Sequence, residues 1–277
     1  MFVEPPVVEQ VYHVDEMQPL LKRHFEYVYR FFTVSRLIPE ACSDIVYGVQ
    51  RCLSGIAAPF QNALFGIPQA EDWDACIEEQ LAYFKKVNMP FVWYVDMDAS
   101  PEFEQKLLAH GFTNGGVFRA VSGPLNKSLP SPKVPDGYTL EKLKEDPASL
   151  DEFNILVCDT FGIEPMNRVC FKKTLQACSQ ANSHNWVVRK KGKIVSTLST
   201  MIDGDLVSFW NGATLPEERR HGLSTALRHM ALQHAISKGC HFGASYLTAE
   251  NKAYGICTKL GYETKWSYYA FLSPQSK

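Results

Sequence analysis

Apolar residues at Leu223, Ala226, Leu227, Met230 and Ala231 recur at three- and four-residue steps. This spacing predicts a helix that opens at about Gly222 and stops near Gly239, a natural C-cap. The run before it, Leu206 to Thr214, reads as a strand, and Asp203, Gly204 and Asp205 form a hairpin turn of the favoured Asp-Gly kind. Working outward, the pattern gives a short strand at Tyr138–Lys142 and helices at Pro147–Phe161 and Asn167–Ala181. Strands follow at Trp186–Arg189 and Ile194–Ile202, joined by a turn at Lys190 to Lys193. Phe242–Thr248 is an apolar strand, Lys252–Leu260 a short helix ending at Gly261, and Tyr262–Leu272 a closing strand. The order β-α-α-β-β-β-α-β-α-β defines an α/β class, an α+β mixed sheet with helices on both faces.

Ser122 to Gly137, with four prolines and no periodicity, reads as a linker. It divides the chain into residues 1–122, a linker at 123–137, and residues 138–277. The first part repeats the second in worn form. Trp93 to Phe112 parallels Ser245 to Tyr262, each a strand with a central tyrosine followed by a short helix ending in Gly-aromatic. Asp72–Lys85 stands where the long helix stands in the second half. Its entry, Ile67 to Asp72, has no arginine or glycine and carries two acids, which satisfy a helix dipole themselves and repel phosphate.

The composition, 45% hydrophobic and 21% charged, is that of a globular protein, and a net charge of −2 gives no basic footprint for nucleic acid. No stretch approaches the length of a membrane span, and MFVEPPVVEQ does not read as a signal peptide. The eight cysteines form no C-x-x-C pair, and the histidines fall at spacings that share no helix face, so neither a disulfide framework nor a metal site is expected. A reducing, cytoplasmic setting is the natural expectation, with a monomer or homodimer as the assembly.

The candidate chemistry lies in PEERRHGLSTAL, Pro216 to Leu227. A strand feeding a Gly-containing turn and then a helix leaves free N–H groups at the helix start. These, the helix dipole and two guanidinium groups favour an anion, with phosphate the obvious candidate. The run Arg219, Arg220, His221, Gly222, Leu223, Ser224 resembles the acyl-CoA signature R/Q-x-x-G-x-G/A of the GCN5-related N-acetyltransferases, with Ser in the final small position. The stretch Glu250 to Glu263 resembles that family's closing motif N-x-x-A-x-x-L-Y-x-K-L-G-F through Ala253, Lys259, Leu260, Gly261 and Tyr262. The resemblance covers the C-terminal half. It implies two tandem acyl-CoA N-acyltransferase folds, the C-terminal copy complete and the N-terminal copy degenerate.

The resemblance further implies acetyl-CoA as cosubstrate, no metal, and direct attack by a small-molecule or peptide amine in a ternary complex. Arg219, Arg220, His221, Gly222, Leu223, Ser224 and Thr225 would hold the diphosphate, with Asn251 as a further contact. Gly212, Ala213 and Thr214 would line pantetheine and polarise the thioester carbonyl, and a glycine inside a strand often marks a bulge. For the base, Glu250 at the end of its strand is the first choice, ahead of Glu217 and Glu218. The tyrosine that commonly protonates the departing thiol aligns with Cys257. The acid is therefore Cys257 itself, Tyr254 one turn earlier, Tyr246 on the strand, or none at all, and Cys257 reads equally as a small core residue. A non-catalytic acyl-CoA-binding or protein-binding module, and an enzyme for longer acyl groups, are the competing functions.

Overall fold

The computed structural model describes residues 14–33, 37–125, 134–144, 146–178, 183–248, 250–251 and 253–274. Met17, Leu21, Phe25 and Val28 are buried along one side of α1 (Val14–Thr33), at the steps of a helix laid on a core. The strands β1 (Cys42–Val46) and β2 (Val49–Leu53) follow, joined through Tyr47 and Gly48, both at positive φ (51° and 77°). That is the two-residue turn whose twist suits a hairpin. Next come β3 (Ala63–Phe65), α2 (Trp73–Lys86), β4 (Val92–Asp96), α3 (Pro101–Ala109) and the long β5 (Thr113–Pro124).

The second half begins with β6 (Tyr138–Lys142), α4 (Pro147–Phe161) and α5 (Arg168–Cys178). Asp146 caps α4 through the Ser149 N–H, and Gly162 ends it at φ 66°, so both termini carry the residue types that stop a helix. Then come β7 (Ser183–Lys190), β8 (Lys193–Asp203), β9 (Leu206–Thr214), α6 (Leu223–Ser237), β10 (Phe242–Thr248), α7 (Ala253–Lys259) and β11 (Glu263–Leu272).

All the strands join one sheet in the order β1-β2-β3-β4-β11-β5-β10-β9-β8-β7-β6. The order is nearly palindromic. Running outward from the central β11–β5 pair, β4, β3, β2 and β1 on one side answer β10, β9, β8 and β7 on the other. Each half's last strand pairs with the other half's penultimate strand. β5 lies antiparallel to β10, with Tyr246 opposite Ala120, and β11 lies antiparallel to β4, with Ala270 opposite Tyr94. Between them β5 and β11 pair directly. The two sequence halves are therefore built into one sheet.

Burial alternates along the strands. Phe209 and Val207 pack under α6, whereas Trp210 and Leu206 belong to the aromatic cluster under α1. α1, α4 and α5 cover one face, and α2, α3, α6 and α7 the other.

Several boundaries expected from sequence move. Ser122, Gly123 and Pro124, read as linker, are paired strand residues opposite Ala244, Gly243 and Phe242, because β5 reaches across into the other half. Residues 126–133 of that linker, and the end of the second helix at 179–181, lie outside the described residues. β7 begins at Ser183 rather than Trp186 because its pairing with β8 runs on to Met201. α1 and the hairpin of β1 and β2 had no counterpart in the sequence reading.

Candidate active site

The site is built where two neighbouring strands part. β9 and β10 run parallel and pair only at Leu206–Phe242, Val207–Gly243 and Ser208–Ala244. Beyond that, β9 stays with β8 and β10 stays with β5, so the edges after Ser208 and Ala244 diverge into a wedge. Inside the wedge β9 carries a bulge. Ser199 faces Trp210 and Thr197 faces Ala213, which leaves Asn211 and Gly212 together opposite Leu198.

The bulge was expected at Gly212, but the residue that bends the chain is its neighbour. Asn211 takes the left-handed conformation at φ 51°, a region Asn tolerates better than most residues. Its carbonyl accepts from Thr197 Oγ1 at 2.9 Å, and its amide donates to Ser199 Oγ at 3.0 Å. Gly212 is exposed and a Cβ there would meet only ordinary contact, 3.7 Å from Leu198 Cδ1. It leaves the strand surface bare without being required by the backbone. Ala213 is buried and Thr214 half-buried beside it.

In the turn after β9, the N–H groups of Glu218 and Arg219 donate back to the Leu215 and Pro216 carbonyls at 3.0 and 3.3 Å. Pro216–Glu218 forms a single 3-10 turn, after which Arg220 and Gly222 both take left-handed φ, 70° and 75°. Left-handed residues at a helix entrance make a concave array of N–H groups suited to an anion. Gly222 is the N-cap of α6 and no side chain caps the helix. Leu223 is buried, and Ser224 and Thr225 are half-buried in its first turn. Arg219 and Arg220 are exposed, with Arg219 Nε donating to the Thr214 carbonyl at 3.2 Å, which draws that side chain back toward β9.

The turn is anchored from below by Glu218. This buried carboxylate accepts from Lys190 Nζ at 2.8 and 3.1 Å and from the Tyr138 hydroxyl. Lys190 first, then Tyr138, hold its pKa below the usual carboxylate range. His221, exposed, sits with Nδ1 3.2 Å from the Glu218 carbonyl oxygen and belongs to the turn itself.

In the first half β3 is only three residues long and pairs with β4 throughout, and Gly66 N–H donates to the Tyr94 carbonyl at 2.8 Å. The entrance of α2 is already filled: the Asp72 carboxylate accepts from Ala75 N–H at 3.1 Å.

The four expected acid–base candidates are scattered. Cys257 is fully buried in the core beneath α6 and α7, where it packs as a small apolar residue; a thiol sealed there does not reach a solvent-lined wedge. Tyr246 is also otherwise engaged. Its hydroxyl donates to the Leu21 carbonyl at 2.9 Å, pinning α1 to the sheet, and burial raises its pKa well above the usual range. Both are corrected to structural roles.

Tyr254 lies half-buried on α7. Its hydroxyl sits 3.4 Å from Thr264 Oγ1 and its ring centroid 5.6 Å from the Arg119 guanidinium; the Thr264 contact first, and Arg119 after it, pull its pKa down. Glu250 is exposed in the turn just past β10. Asn251 caps α7, its side-chain oxygen accepting from Ala253 N–H at 2.9 Å.

The sequence reading missed Asn211, whose role shows only in the strand register, and the Lys190–Glu218–Tyr138 anchor, whose members are 28 and 80 residues apart. It also missed Arg228, a buried guanidinium at the point where β9 and β10 part. Arg228 donates to Ser245 Oγ at 3.0 Å and lies 4.3 Å over the Phe209 ring, with no carboxylate partner among the described residues. A helix-facing arginine in the apolar stripe of α6 was the available signal. Among the described residues no group of three or more His, Cys, Asp or Glu could hold a metal ion, and no helix is long and apolar enough to cross a membrane.

The candidate site is thus a strand wedge with a bulge on one side and, at its mouth, a helix entrance that bears two arginines and has no side-chain cap. Residues 150–262 match the Acetyltransferase (GNAT) family. The fold is the mixed α/β fold of its acyltransferase structures. A GCN5-related N-acetyltransferase from Kribbella flavida superposes with a TM-score of 0.66 at 16% identity, over 92% of this chain and 96% of its own. One from Sphaerobacter thermophilus does so with 0.60 at 14%, over 84% and 76%. A tandem GNAT protein from the clavulanic acid biosynthesis pathway gives 0.59 at 11%, over 86% and 85%. Among curated proteins, none matches the sequence significantly.

Proposed function

We propose that this protein is an acetyl-CoA-dependent N-acetyltransferase with one active site, in the C-terminal half. The observation that carries the reading is the joint geometry of the β9–β10 wedge, its bulge and the α6 entrance without a side-chain cap, whereas the α2 entrance of the first half is capped by Asp72. The first half is then a degenerate copy that supports the sheet and walls the acceptor side.

The residues divide the work. The N–H groups from Arg220 to Thr225, with the Arg219 and Arg220 side chains, hold the diphosphate, and His221 lies beside it. The bulge at Asn211 to Thr214 offers backbone donors to a carbonyl that becomes an oxyanion. Tyr254, with its lowered pKa, is the proton donor to the departing sulfur, and Glu250, at the strand end, receives the proton of the attacking nitrogen through solvent. The reaction is direct: the amine nitrogen bonds to the carbonyl carbon, the carbon–sulfur bond breaks, and one proton passes from nitrogen to sulfur overall. An acetyl-CoA assay that follows free thiol tests this. Tyr254→Phe should lower kcat about 100-fold, in line with general acid help, with the affinity for acetyl-CoA unchanged. Thiol release by the variant equal to that of the parent removes Tyr254 from the mechanism.

A further inference from the structure

A cavity of about 80 Å³ opens against the bulge, and it identifies the acceptor side. Trp210 and Asn211 of β9 form its floor, Phe171 of α5 lines it from the second half, and Tyr29 of α1 with Phe60 and Gln61 line it from the first. None of its described lining residues is charged. The first-half wall is rigidly set. Tyr29 donates to the Phe60 carbonyl at 2.6 Å. The fully buried Asn62 donates to the carbonyls of Ile56, Ala58 and Pro90 and accepts from Ser54, fixing the turn that carries Phe60 and Gln61.

One lining group is left over. Gln61 Oε1 is buried and has no hydrogen-bond partner among the described residues, a cost that a ligand donor would relieve. Phe60, by contrast, is 41% exposed, an aromatic ring at the cavity edge whose centroid lies 5.9 Å from that of Phe118.

Chemistry narrows the occupant. A polyamine or an aminoglycoside carries several ammonium groups, and each would be desolvated here without a carboxylate to pair with. A monoamine on an apolar ring loses only one charge. Desolvation favours its neutral form, the form that attacks a thioester, so the cavity assists the deprotonation that an alkylamine with a pKa near 10 needs. Aromatic walls match an aromatic body by edge and face contacts.

We infer that the acceptor is a primary amine on an uncharged, ring-bearing apolar body, of the arylalkylamine type, seated between Phe60, Phe171 and Trp210 with its nitrogen toward Asn211 and an N–H donated to Gln61 Oε1. This deepens the acetyltransferase reading above and rests on it.

The test uses the full chain and two independent readouts. Calorimetry gives the dissociation constant of acetyl-CoA without any amine, and thiol release gives kcat/KM for 2-phenylethylamine, spermidine and kanamycin. The expected result is a kcat/KM for 2-phenylethylamine at least about tenfold above the other two, a modest demand on one ring's burial. Phe60→Ala, at an exposed edge, should raise the KM for that amine about tenfold, and Gln61→Leu should raise it several-fold, by loss of the ring contact and of the N–H acceptor respectively. Both variants should bind acetyl-CoA as the parent does. Preference for spermidine or kanamycin, no turnover of 2-phenylethylamine despite acetyl-CoA binding, or a KM indifferent to both substitutions overturns the acceptor inference alone. Absence of acetyl-CoA binding overturns the acetyltransferase reading, and this inference with it.

Discussion

Gly222 and Gly192 show how one backbone conformation serves two ends. Both hold left-handed φ, 75° and 81°, and a Cβ at either would meet nothing within 4 Å, so the cost of alanine there is conformational rather than steric. Alanine at each should cost about 1 kcal/mol of stability, the usual penalty for a left-handed non-glycine residue, read by urea denaturation. Only Gly222→Ala should also weaken acetyl-CoA binding, because only there do the displaced N–H groups form the anion array; equal loss of affinity in Gly192→Ala would separate the array from the ligand.

His184 sets a second residue-scale expectation. Burial, then Lys142 and His234, push its pKa down to about 4. The unfolded chain, with a histidine near the reference value of 6.5, binds the extra proton first. This side chain's contribution is therefore complete above about pH 6.5 and is lost as pH falls toward 4. His184→Phe should flatten the fall in melting temperature across that window, and an unchanged slope would count against the assignment. Legibility at this scale was uneven. The helix entrance at Gly222 could be read because glycine and arginine announce themselves locally. Asn211 could not, since a bulge is a matter of register with β8, and Cys257 stayed open between acid and core residue, since its burial depends on what packs against α7.

At the scale of elements, the entrance to α6 is held from outside itself. Lys190 at the end of β7 and Tyr138 at the start of β6 converge on Glu218, so the turn before α6 takes its position from the sheet edge. Lys190→Met should weaken acetyl-CoA binding several-fold while leaving the far-UV spectrum intact; unaltered affinity would show that the turn holds its shape alone. The pKa of Glu218 is depressed below 4.5, so the anchor is complete above that pH and is lost as pH falls through the folded value, below 4.5. The strand and helix order of the second half was legible from periodicity and turn residues. The first half was legible only in α2, β4 and α3, because β3 is three residues long and β1 and β2 are short. Its likeness to the second half is carried by sheet order more than by sequence.

At the scale of the molecule, the reciprocal strands decide what can stand alone. The linker divides the sequence, yet β5 completes the sheet beside β10, and β11 beside β4. A fragment of residues 138–277 would leave β10 with an unpaired edge after losing β5, a template for aggregation. It should show no cooperative unfolding transition by circular dichroism, whereas the same fragment refolded with residues 1–125 should recover one. Cooperative folding of the C-terminal fragment by itself would mean that the exchanged pairing is dispensable. Sequence could not show this exchange, since both final strands have the pattern of ordinary closing strands and nothing local names their partners.

The account rests on anion capture at the mouth of the β9–β10 wedge. Titration calorimetry of acetyl-CoA into the full chain and into its Arg219→Ala, Arg220→Ala variant measures that capture directly. Loss of two charge-assisted contacts should raise the dissociation constant by at least about tenfold, or about 1.4 kcal/mol, with the variant's melting temperature unmoved. Equal affinities in the two proteins, or no heat of binding in the parent, would contradict it.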